Sequence, residues 1–315
     1  MILANRSWDC FFGAVLTGLL VGCSSLPSKE EAPESVRAKQ AVDDAKLGDS
    51  NLANHNYLEA QKFYNQSLNE NYAIDNLPGI AEAQDSLATV ALAMRDYPTA
   101  EKQFAVALAA AELTGLPELT AKVLSNQAKM RLYQDNPTAA LTLLARALAL
   151  LKTPDSELAA VILHNQGVAY DKLGQATEAL AAFQKALGIN TAKKQLRESA
   201  SNNFMLASLA NKQGNSSQAL ALLDTALNLD KTMENPDGIA ADLYALYRVN
   251  AKLGNTLVAY HYLERSFRVS LMANDETAVR QTLPLLRDLA AANQLTDAVA
   301  VWQEMLAKLE SSHAP

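Results

Sequence analysis

Three positions, Ala-x₃-large-x₂-small, return along this 315-residue chain at nearly constant intervals. They stand at Ala60/Tyr64/Ser67, Ala100/Phe104/Ala107, Ala140/Leu144/Ala147, Ala179/Phe183/Ala186, Ala219/Leu223/Ala226, Ala259/Leu263/Ser266 and Ala298/Trp302/Met305. Their first residues are 40, 40, 39, 40, 40 and 39 apart. Positions i, i+4 and i+7 share one helix face, and small residues there let a second helix come close. Another segment of helical period precedes each triplet, with a small residue twelve positions ahead at Gly48, Ala88, Ala128, Gly167 and Ala207. Gly174, Gly214 and Gly254 stand five ahead, where a helix ends and the chain turns through positive φ. Pro98 and Pro137 open second helices, where a missing N–H costs nothing. Such a period predicts stacked hairpins, none able to bury its apolar face alone.

Seven units make an all-α solenoid of about fourteen helices over residues 39–309. Leu163, Gly167, Tyr170, Gly174, Ala179, Phe183 and Ala186 together resemble the tetratricopeptide repeat motif almost position for position. The resemblance implies an α-solenoid coiled as a right-handed superhelix, its concave wall lined by the first helix of each unit. In that family the wall grips extended peptides or partner helices. The spacing exceeds the family's usual 34 residues and is similar to that of the longer-repeat branch that includes the kinesin light chains. In the last two units Tyr247 and Leu286 replace the small residue, and Pro284 falls inside the final first helix. Irregular terminal units are expected, because one side of each faces solvent. In this register Gly167→Leu overpacks the hairpin and costs roughly 1–3 kcal/mol.

The N-terminus reads as an address. Cys10 to Gly22, CFFGAVLTGLLVG, is an apolar run preceded by Arg6, and it ends in Leu20-Val21-Gly22-Cys23-Ser24. The run has the length of a secretory hydrophobic region, too short to span a bilayer comfortably. Its final box resembles that of bacterial lipoproteins. That resemblance implies removal of residues 1–22 and acylation of Cys23, and Ser24 in place of Asp implies the outer membrane. The mature chain then has no free thiol and no disulfide. Residues 23–38, rich in Ser, Pro and Glu, read as the acylated cysteine and a flexible tether, and 310–315 as a disordered tail.

A net charge of −7 argues against a nucleic-acid binder. The scattered His55, His164, His261 and His313 offer no metal-ligand spacing, and no nucleophile, phosphate or zinc motif stands out. The expectation is a protein that is not an enzyme, takes no cofactor or metal, and touches membrane only through its lipid.

The first helices then supply the candidate binding residues. Units one and two offer Lys46 against Asp49, Glu82 and Asp85, whereas later units offer Lys122, Lys129, Lys172, Lys212, Arg248, Lys252, Arg280 and Arg287 against Asp171. Lys172, Lys212 and Lys252 sit two residues before a helix-ending glycine and complement the helix dipole. The remaining cations leave a groove that is basic toward its C-terminal half, suited to an anionic ligand. Asn126 and Asn165 occupy one groove position in adjacent units. Longer-repeat relatives use such asparagines to hold a peptide main chain; the alternative is a structural bridge between helices. His164 and Tyr244 line the same channel. The reading is a scaffold for a protein or peptide partner, assisting assembly of an envelope complex at the periplasmic face of the outer membrane. The alternative is capture of an anionic envelope polymer by the basic half-groove.

Overall fold

A computed structural model describes residues 35–311. They form fourteen α-helices joined by short turns, with no strand among the described residues. In chain order these are α1 (Val36–Ala53), α2 (Tyr57–Ala73), α3 (Leu77–Ala93), α4 (Tyr97–Thr114), α5 (Pro117–Tyr133), α6 (Pro137–Leu150) and α7 (Glu157–Lys172). They continue as α8 (Ala176–Ala192), α9 (Leu196–Lys212), α10 (Ser216–Thr232), α11 (Pro236–Lys252), α12 (Thr256–Met272), α13 (Glu276–Ala292) and α14 (Thr296–Ser311). Each odd helix packs on the even helix that follows, and each hairpin packs on the next, giving an α-solenoid of seven helix–turn–helix units.

The repeated triplets are the inner seam. Every residue of the first six is at most 3% exposed, and Trp302 of the seventh is 5% exposed. The small residue of the odd helix makes room for the large residue of its partner. A β-carbon on Gly48 would lie 2.5 Å from the Tyr64 ring, and one on Gly167 would lie 2.6 Å from that of Phe183. Ala128 and Ala207 instead stand in the register opposite the smaller Leu144 and Leu223, whereas the second unit sets Ala88 opposite Phe104.

Helices stop in a common way. Within hairpins the chain passes through positive φ at His55, Arg95, Asp135, Gly174, Gly214, Gly254 and Gln294; between hairpins it does so at Asp75, Gly115, Lys194, Glu234 and Asn274. The following N–H reaches back to a carbonyl near the helix end, as Gln175 N to Tyr170 O at 2.9 Å, the 6→1 bond of a Schellman turn. One link departs. After the shortened α6, Leu151 is extended, and Ser156 caps α7 by accepting from Ala159 N at 3.1 Å.

Two expected boundaries shift. Helix α1 begins at Val36, inside the stretch assigned to the tether, and Arg37 of that first turn pairs with Glu70 at 2.8 Å. Helix α14 runs to Ser311. Residues 1–34, with Cys23 and the leader, and residues 312–315 lie outside the described residues. The last unit is also displaced in register. Helices α11 and α13 start 40 residues apart, so the final triplet stands one residue nearer its turn than the others do.

Candidate functional site

The odd helices crowd together while the even helices splay. Helices α1, α3, α5, α7, α9 and α11 each lie close, backbone to backbone, to the next in that series, whereas the backbones of neighbouring even helices stand farther apart and are bridged by long side chains, such as Arg146 with Glu112 and Trp302 with Tyr260. Crowding on one side and splaying on the other curves the stack, with the odd helices on the concave wall. The series breaks at α13, whose backbone stands farther from that of α11, with a cavity lined by both helices between them. Pro284 stands mid-helix there, at the position that Tyr244 holds in α11.

Much of the wall's polarity holds the wall itself together. Asn126 Nδ2 donates to Asp85 Oδ2 at 2.7 Å, joining α5 to α3, and Asn165 Nδ2 donates to Ser125 Oγ at 3.3 Å, joining α7 to α5. His164 Nδ1 lies 3.0 Å from Asn202 Oδ1 on α9, with its ring edge-on to Phe183. Because the Asn202 amide donates its own N–H to Glu198 O at 2.8 Å, its oxygen faces the imidazole, which therefore carries its proton on Nδ1. Burial, with Lys129 nearby, holds the His164 pKa below its ordinary value, so the ring is neutral. A second tier runs below. Lys172 Nζ meets Asp135 at 2.8 Å, Lys212 Nζ meets Asp171 at 2.6 Å, and Lys252 Nζ donates to Asn211 O at 3.0 Å.

These contacts correct several expectations. Asn126 and Asn165 bridge helices, with Asn165 only 9% exposed, and their amides are committed to neighbouring side chains. Lys172, Lys212 and Lys252 clip successive units as well as sitting at helix ends. Arg287 does not share the groove position of Arg248, which the 40-residue step gives to Asp288, and Arg280 falls one residue short of the position that Ala241 holds in α11. Arg287 donates to Asp288 through Nε and Nη2 at 2.8 and 2.7 Å, and Arg280 lies 3.9 Å from Glu276. Half of the expected groove cations, Lys172, Lys212, Arg280 and Arg287, thereby meet acids of the chain itself. Lys122, Lys129 and Arg248 remain as exposed cations on the wall, and half-buried Tyr244 packs against Tyr247.

Asp242, a buried carboxyl, escaped the sequence reading, and Asp85, read there as a groove acid, is buried. Burial pushes Asp85 up to about 6 against the opposing pull of Lys122 and the Asn126 bond, and its Oδ1 has no partner among the described residues. Burial and the hydrogen-bonded Asp230 carboxylate push Asp242 up to about 8. Asp230 in turn accepts from Asn235 Nδ2 at 2.7 Å. The available signal was an acid on the inward stripe, since Asp242 is flanked by buried Leu243 and precedes buried Leu246.

Residues 119–192 match the model of the tetratricopeptide repeat family. No curated protein matches the chain in sequence. Among solved structures, a STAND signal-transduction ATPase with a tetratricopeptide repeat sensor from Pyrococcus horikoshii is similar at 14% identity and TM-score 0.69, over 87% of this chain and 42% of that one. A Rap protein complexed with Competence and Sporulation Factor is similar at 16% identity and TM-score 0.59, over 85% and 75% of the two chains. PilF of Pseudomonas aeruginosa follows at 18% identity and TM-score 0.51, over 78% and 97%. Identities this low establish a shared fold: that of tetratricopeptide solenoids, whose typical work is contact with other proteins.

Proposed function

We propose that the chain is a non-catalytic scaffold, held by acylated Cys23 at the periplasmic face of the outer membrane, which grips an extended segment of a partner along its odd-helix wall. The continuous contact of α1 through α11 carries this reading, because it supplies one curved surface with exposed Lys122, Lys129 and Arg248 spaced along it. A fold neighbour seen with Competence and Sporulation Factor bound supports a ligand-gripping role. The neutralised cations of the last unit weigh against the polymer reading. The anchor is tested by palmitate labelling, which should vanish in Cys23→Ser; labelling that persists removes it. The groove is tested by affinity capture from detergent-solubilised envelope. Lys122→Glu/Arg248→Glu should lose partners that the wild type retains, and equal recovery contradicts a groove-borne role.

A further inference from the structure

At the edge where odd helices end and even helices begin, the first three units enclose a cavity of about 590 Å³. His55 and Arg95 reach it from their turns, Lys129 from α5, and the rings of Tyr57, Tyr97 and Tyr133 from the surrounding helix ends. No acidic residue lines it. The other cavities described here each include at least one: Glu82 and Glu118, Asp237 and Asp275, Asp49 and Glu82, or Glu198. Of the basic residues that line the first cavity, neither Arg95 nor Lys129 makes an ion pair within the described residues. Tyrosine rings beside them add apolar faces that a charged group alone would not need.

A second observation names the chemistry. The curl of the solenoid brings the first turn of α11, from the sixth unit, against the turn of the first unit, and Asp237 Oδ2 lies 3.5 Å from His55 Nε2. On its other side the same imidazole meets the Tyr57 hydroxyl at 3.0 Å. A carboxylate of the chain itself thus already meets one of the residues that line the basic cavity. The pair is exposed on both sides, so it is weakly held and exchangeable.

We propose that this turn-edge cavity binds a carboxylate-bearing peptide segment, with Arg95 and Lys129 on the acid and the tyrosine rings on the adjoining apolar atoms, and that Asp237 is the built-in group the ligand displaces. The inference rests on the peptide-gripping reading above and adds where the acid is read and what competes for it. Displacement couples binding to release of the contact between the first and sixth units.

The test passes the full chain over an immobilised degenerate octapeptide library, with thermal melts to verify that each variant folds. Retained peptides should be enriched in Asp and Glu, and Arg95→Ser/Lys129→Ser should abolish that enrichment. Asp237→Asn should tighten the best acidic peptide about threefold or more and leave its Gln/Asn analogue unchanged. Retention of neutral or basic sequences, or an acid preference that survives the double variant, overturns this site and leaves the groove reading intact. An unchanged affinity in Asp237→Asn overturns the displaced-group role. A library from which nothing is retained overturns both readings.

Discussion

Gly167 and Phe183 meet so closely that even a methyl group cannot enter without moving the ring. Gly167→Ala should cost about 1–3 kcal/mol in chemical denaturation. Adding Phe183→Leu should recover part of it, because Ala opposite Leu is the pairing already used at Ala128/Leu144 and Ala207/Leu223. Two costs that simply add would contradict that pairing. Asp242 gives a second test at this scale. Its folded pKa of about 8 lies above the ordinary carboxylate value, so the native state holds a proton that the unfolded chain has lost. The stability tied to this group is full below the ordinary value, near pH 4, and is lost as pH rises through 8. Asp242→Asn should therefore raise the melting temperature increasingly from pH 4 to pH 8.5, and a constant offset would show that Asp242 keeps its ordinary value.

The helices were legible in the sequence because burial here is periodic: the triplets and the small residues facing them are the seam itself. The turns were half legible. Gly174, Gly214 and Gly254 announced positive φ, but the same backbone is carried by His55, Arg95, Asp135, Lys194 and Glu234, whose side chains give no such sign. That difference is testable. Non-glycine residues lose roughly 1–2 kcal/mol in this region, partly offset by the greater freedom of glycine when unfolded. Glu234→Gly should stabilise by about 0.5–1 kcal/mol, whereas Gly254→Ala should destabilise. Pro284 is the other local conflict, since it removes an N–H from mid-α13 and crowds the preceding turn. Pro284→Ala should slow hydrogen exchange in α13 and α14 and leave α3 to α10 unaffected. The site was less legible than the elements. Asn126 and Arg287 occupy positions a periodic reading marks as groove, but Asp85 and Asp288 claim them, and only three-dimensional placement shows which polar groups are already used.

At the scale of the whole molecule, stacking sums small repeated terms, so stability is distributed among neighbours while the odd-helix surface stays uncovered. The cross-unit bonds from α3 to α11 keep that wall continuous, and the wider backbone spacing between α11 and α13 marks where it opens. The proposal these scales bear on is that another polypeptide lies along the inner wall. Site-specific photocrosslinking in cells tests it most directly, with a benzophenone amino acid placed at Lys122, Ser201 or Arg248 on odd helices, and at Glu178, Lys185 or Asp224 on even ones. The account predicts partner adducts from the odd-helix positions and none from the even. Adducts confined to the even helices would contradict it.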